Sequence, residues 1–231
     1  MLASYPGFHK TMIPEAVEYE LRNGGSHDYD LPTGLPSRFE ETLTVLKLHV
    51  PGSMHNVQVL EQRGIPYLIM YRDVRDVAVS HVFYVQRTPW HPEHSKYDGL
   101  SVEEGLHHFG TTLLPEFVEW IRSWHTNRDP EQSLVVQYED LLADTTATFH
   151  EVAHLFALPD DPDTIESIVE AHRFENLSGG RSRGEDGDDS FFRKGVSGDW
   201  KNHFTPKLKS LYKDVAGQSL IDFGYETDLD W

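Results

Sequence analysis

A chain of 231 residues is long enough for one well-buried core and fits a single α/β domain spanning residues 1–231. Its 38 Asp and Glu against 20 Lys and Arg give a formal net charge of −18, which repels nucleic-acid phosphates and anionic lipids, so neither is expected as a partner. It has no cysteine and no apolar run near the roughly 20 residues that span a bilayer, which sets aside disulfides, thiolate chemistry, cysteine-rich zinc sites and membrane insertion. The opening MLASYPGFHK lacks a basic start followed by an apolar stretch, so a cytoplasmic setting without a secretory leader is expected. The acidity fits a high-salt cytoplasm or a merely acidic protein equally well. An anionic ligand would need the few basic residues gathered in one place.

In chain order, three short apolar runs read as buried parallel strands: Leu43 to His49, Tyr67 to Tyr71 and Leu134 to Tyr138. Helical periodicity covers Val74 to Val85. It is clearest from Ser101 to His125, where Leu106, Phe109, Leu113, Phe117, Trp120 and Trp124 recur at spacings of three and four. Further helices are expected at Thr146 to Phe156, Pro162 to His172 and Pro206 to Ala216, and Ser182 to Ser190 reads as a polar loop. Alternating strands and helices predict an α/β fold with a central parallel sheet flanked by helices, binding its ligand at the carboxyl ends of the strands.

Three segments carry chemistry. On the first strand Lys47 and His49 are two residues apart and share a face. The imidazole suits removal of a proton from a hydroxyl, and the ammonium suits stabilising charge on a transferring group; the bland alternative is a solvated strand end. In YLIMYRDVRDVAVS a strand runs into a helix that Asp73 can cap, a turn whose N–H groups and helix dipole suit a phosphate. Arg72 at the strand end and Ser80 two turns along the helix can grip it together; singly, they read as a surface ion-pair partner and a small packing residue. The third segment is FFRKGVSGDWKNHFT, where Arg193 and Lys194 adjoin Gly195 among Phe191, Phe192 and Trp200. A glycine lets backbone amides approach an anion, and this is the basic cluster an acidic chain needs for a polyanion.

These segments resemble the cytosolic-type sulfotransferase family. RDVRDVAVS is similar to its 3′-phosphate segment, RKGVSGDWKNHFT to its C-terminal signature, and KLH followed by Pro51 to its K-x-H-x-P strand. QYEDLLADT, HRFENL and the ending FGYETDLDW, like that of bacterial members, follow in the family's order. The resemblance implies a P-loop-NTPase-like sulfotransferase fold and the donor 3′-phosphoadenosine 5′-phosphosulfate, with no metal. It implies that Arg72, Ser80, Arg193, Lys194 and the backbone of Gly195 hold the donor's 3′-phosphate and that Tyr138 and Phe174 border the adenine. His49 would be the general base on a small-molecule hydroxyl or amine, and Lys47 would steady the sulfuryl group in flight.

The sequence departs from the family in two places. The family's 5′-phosphate loop is close to SYPKSGTTW, whereas this chain has SYPGFHKTMI, with Gly7 and Phe8 in place of Lys-Ser. Lys10 and Thr11, with His9, are positioned either to compensate or as remnants of a lost function. Pro206 and Ser210 replace residues of the family's dimer element, so a monomer or weak dimer is expected. One competing motif remains: HEVAH, His150 to His154, fits the H-E-x-x-H pattern of zinc proteases, but no third ligand stands at a recognised spacing. His91, His94, His107 and His108 read as surface residues.

Overall fold

Helices begin here where the sequence supplies an oxygen for the orphan N–H groups of a first turn. Ser53, Asp73, Ser101, Asp144, Asp161 and Thr205 each accept a backbone N–H from the turn that follows. Ser101 and Glu104 form a reciprocal capping box, and Pro162 and Pro206 open their helices where a missing N–H costs nothing. The computed structural model describes residues 30–31, 49–185 and 193–231. Lys10, Thr11, Lys47, Phe191, Phe192 and the expected strand before His49 lie outside them. The elements are α1 (Met54–Gln62), β1 (Tyr67–Tyr71), α2 (Val74–Gln86), α3 (His94–Tyr97), α4 (Val102–Thr112), α5 (Leu114–Asn127) and β2 (Ser133–Gln137). Then come α6 (Tyr138–Ala143), α7 (Thr145–Leu155), α8 (Pro162–Ala171), α9 (Phe174–Leu177), a 3₁₀ turn (Asp199–Asn202) and α10 (Pro206–Asp222).

Two expectations need correction. The long helix from Ser101 is two helices that part at Leu113, because Pro115 has no N–H for a continuous ladder and its ring crowds the preceding turn. Tyr138 is not the last strand residue. β2 ends at Gln137, whose extended backbone precedes α6, and Glu139 and Asp140 favour a helix start there.

The chain divides into two compact units, residues 1–70 with 120–173 and residues 71–119 with 174–231. In the first, β1 and β2 are hydrogen-bonded neighbours. Val136 packs with Phe149, Val152 and Ala153 of α7 and with Ile165, Ile168 and Val169 of α8; each such large side chain contributes about 1.5–3 kcal/mol on burial. In the second unit α2 buries Val74, Ala78, Val79, Val82 and Val85. Helix α4 lies close to it because Gly105 faces Val82, where a Cβ would come within 2.8 Å of a methyl. Tyr212 of α10 is buried and donates to the Leu106 carbonyl at 2.9 Å. No helix among the described residues is long and apolar enough to cross a membrane.

Candidate active site

β1 delivers Arg72 to the start of α2, and the residues behind it tie that corner of the second unit to the segment from Arg193. Arg72 Nη2 donates to the Val196 carbonyl at 3.1 Å and pairs with Asp76 Oδ2 at 3.1 Å. Asp76, 1% exposed, accepts the Gly198 N–H on Oδ2 at 2.7 Å and the Trp200 N–H on Oδ1 at 2.9 Å. Gly198, at φ 79°, precedes the 3₁₀ turn and has no side chain to cap it, so Asp76 caps that turn from another element. Gly195 is at φ 64°, and a Cβ there would stand 2.5 Å from the Phe174 ring, so conformation and space both demand glycine.

Asp199 gathers the two cations of the same segment. Its Oδ2 accepts from Arg193 Nη2 at 2.6 Å, and its Oδ1 from Lys194 Nζ at 3.1 Å and Asn202 Nδ2 at 3.0 Å. Burial alone would raise this carboxyl, but the bonds from Arg193, Asn202 and Lys194 outweigh it and hold the group well below the usual range. The Arg193 guanidinium also sits 4.8 Å from the Phe83 ring centre. Arg181 Nη1 donates to the Arg193 carbonyl at 2.8 Å, and the Gly184 N–H donates to that of Lys194 at 2.8 Å. Ser80 is half-buried on α2, on the same helical stripe as Asp76 and Phe83, both of which touch this segment.

A second fastening lies one residue from Asp76. The Arg75 guanidinium, buried, is 3.9 Å from the Trp200 ring centre and 4.4 Å from that of Trp231, while bonding Asp73 and Glu226. The chain's acidic ending is thus folded against the back of the signature.

In the first unit the backbone around His49 is pinned by α5. The Trp120 indole N–H reaches the carbonyls of His49 at 3.2 Å and Val50 at 2.8 Å, and that of Trp124 reaches Val50 at 3.1 Å. The Gly52 N–H donates to Ser123 Oγ at 2.8 Å, and Asn127 Nδ2 donates to the Gly52 carbonyl at 2.8 Å. A Cβ on Gly52 would fall 2.5 Å from the Trp124 backbone nitrogen, so helix and loop meet main chain to main chain.

The family model for the sulfotransferase domain matches residues 34–224, which runs through both units. The chain belongs to the sulfotransferase family. Similar proteins include rat (Rattus norvegicus) sulfotransferase 1 family member D1, 24% identical, with 98% of this chain aligned to 86% of the relative. Guinea-pig (Cavia porcellus) sulfotransferase 1E1 is 23% identical over 73% of this chain and 58% of its own length. Mouse sulfotransferase SULT7A1, solved in complex with PAP, superposes with TM-score 0.59 at 17% identity, covering 80% of this chain and 70% of that one. Retinol dehydratase, solved with androsterone and the inactive cofactor PAP, gives 0.63 at 22% identity over 82% and 55%. The chain therefore has the α/β sulfotransferase fold, while spanning little more than half the length of several relatives.

Of the expected site residues, this sulfotransferase brings Arg72, Phe174, Arg193, Lys194 and Gly195 into one knot with Ser80 on the adjoining helix face. His49 and Tyr138 belong to the first unit. The organising carboxylates Asp76 and Asp199 were missed at the level of sequence, as were Gly52, Trp120 and Ser123. Little in the sequence marks Asp76, which lies with Ser80 and Phe83 on a stripe apart from the buried valines of α2. His150 and His154 of the H-E-x-x-H motif flank Asp160 at 3.9 and 3.7 Å, and both are exposed. Among the described residues no group of three or more His, Cys, Asp or Glu side chains is placed to hold a metal. His91 and His94 are half-buried rather than on the surface, since the His91 ring packs edge-on to His81 and Tyr84 and His94 Nδ1 meets the Val85 carbonyl.

Proposed function

We propose that this chain transfers a sulfuryl group from 3′-phosphoadenosine 5′-phosphosulfate to a small-molecule hydroxyl or amine. The observation that carries the reading is the convergence of Arg72, Arg193 and Lys194 around the two buried carboxylates Asp76 and Asp199, in a chain of this family. Such an array of cations beside a glycine turn matches the charge of a ribose-linked phosphate. The PAP complexes of the two structural neighbours support the same ligand class.

In this reading Arg72, Ser80, Arg193, Lys194 and the Gly195 N–H hold the 3′-phosphate, with Tyr138 and Phe174 bordering the adenine. The donor supplies a sulfur already activated by a phosphate leaving group. His49 accepts the acceptor's proton as the new O–S or N–S bond forms and the sulfur–phosphate oxygen bond breaks. Lys47 balances charge on the moving group, and Lys10 and Thr11 serve the 5′-phosphate. Rate comes from positioning and electrostatics rather than from a covalent enzyme intermediate. The protein acts in the cytoplasm as a monomer or weak dimer.

Calorimetry with 3′-phosphoadenosine 5′-phosphate, followed by a radiolabelled-donor screen against mixed hydroxyl acceptors, tests this. Binding with transfer is expected. Binding without transfer supports a second reading, a nucleotide-binding relative without catalysis, which Gly7 and Phe8 in the 5′-phosphate loop favour. No binding overturns both.

A further inference from the structure

We propose that Asp76 and Asp199 are positioning residues that set selectivity for a 3′-phosphorylated nucleotide, each acting through the groups it holds. This rests on the reading of the signature as the 3′-phosphate cradle. Both carboxylates are almost fully buried, at 1% and 4% exposure. A buried carboxylate is tolerated only when charged or N–H donors surround it. Asp76 meets Arg72 and the N–H groups of Gly198 and Trp200; Asp199 meets Arg193, Lys194, Asn202 and His203. A carboxylate repels a phosphate, so neither contacts the ligand itself.

Their roles differ. Asp76 joins the two sequence-distant halves of the cradle, fixing where Arg72 stands relative to the turn that follows Gly195. Asp199 holds the heads of Arg193 and Lys194, two long side chains that would otherwise have to be ordered when the ligand arrives. Arg carries five N–H donors and Lys three, so a bond to a carboxylate fixes each head without exhausting it. Because Asp199 is held ionised far below neutral pH, this preorganisation persists over the whole working range.

Asp73 provides the internal control. It is 6% exposed, lies on the same turn and pairs with the buried Arg75, so Asp73→Asn also breaks a buried ion pair but leaves the cradle's carboxylates in place. The experiment measures affinity for 3′-phosphoadenosine 5′-phosphate and for adenosine 5′-monophosphate, together with Tm, in the wild type and in Asp76→Asn, Asp199→Asn and Asp73→Asn. The expected result is a loss of at least about tenfold in affinity for the 3′-phosphorylated ligand in the first two variants, with monophosphate affinity held within about twofold. Asp73→Asn should lower Tm and keep the wild-type ratio of the two affinities. An unchanged ratio in both Asp76→Asn and Asp199→Asn overturns the proposal, as does a collapse of the ratio in Asp73→Asn as well. If Asp76→Asn does not fold, Asp199→Asn decides alone. A wild type that binds both nucleotides equally overturns the cradle reading beneath it, before any variant is considered.

Discussion

The two units fix their functional residues by different physical means. The second holds Arg72, Arg193 and Lys194 with buried carboxylates, so its site is a set of compensated charges. The first holds the segment at His49 by neutral donors on main-chain carbonyls, chiefly the indoles of Trp120 and Trp124. The difference follows from what each region has to do. In the proposed function these cations await a dianion, and cations gathered together must be steadied by opposite charge, especially where burial removes water. The proposed base needs fixed placement, and the indole N–H groups of α5 supply it by holding the main chain on either side of the residue.

The largest expected effect breaks the chemistry while sparing the cradle. His49→Ala should lower kcat by about 10²–10⁴, the usual worth of a positioned general base, with donor affinity nearly intact. Wild-type turnover in the variant would reject His49 as the base. Arg193→Ala should do the converse, weakening donor binding by about 1.5–3 kcal/mol through loss of a charged hydrogen bond, as calorimetry would read. Should Arg193→Ala slow turnover at saturating donor and leave Kd unmoved, the division of labour between the units would be wrong. A smaller effect tests the neutral fastening. Trp120→Phe keeps an aromatic ring on α5 but removes the N–H shared by the His49 and Val50 carbonyls, and about 1 kcal/mol, or roughly fivefold in kcat, should follow. A fall in donor affinity of that size instead would place Trp120 with the binding residues.

Sequence alone revealed the parts of this fold that repeat locally. The apolar run Tyr67 to Tyr71 is a strand over the expected residues, and Asp73 caps the helix that follows. RKG followed by GDWKN was legible as a basic turn because glycines and cations adjoin within a few residues. The carboxylate work of Asp76 was hidden, since its partners Gly198 and Trp200 are far away in sequence and nothing in RDVRDVAVS names them. The same holds for Gly52: in VPGS it reads as a turn residue, and only the approach of the Trp124 backbone gives its real reason. The strand bound at Tyr138 was misread for another cause, because the tyrosine suits a strand end and the acidic pair after it tips the residue into a helix. Local chemistry can be read along a chain, whereas groups fixed by distant partners cannot.

The smallest effect concerns where the second unit's charged character stops. One residue beyond Ser80, His81 is half-buried against Tyr97, Phe109 and His91, with Glu93 Oε2 at 3.2 Å. Burial dominates, the attraction of Glu93 offsets part of it and the nearby His91 and His108 add to it, so the imidazole is pushed down to about 4 from 6.5. An unfolded chain therefore takes up a proton below 6.5 that the folded protein refuses until about 4. Stability from this residue is complete above the higher value, declines as pH falls through the window by up to about 1.4 kcal/mol per unit, and levels off below it. Asp199 behaves separately: its folded value is depressed, so its contribution stands in full above its ordinary 3.8 and is lost only as pH falls further. His81→Gln removes the titration without removing a polar side chain. Its Tm should be flatter than the wild type's between pH 6.5 and 4, and the two profiles should run parallel at lower pH. If they run parallel across the upper window too, His81 is solvated as a proton would need, and the boundary between compensated cations and neutral packing lies elsewhere on α2.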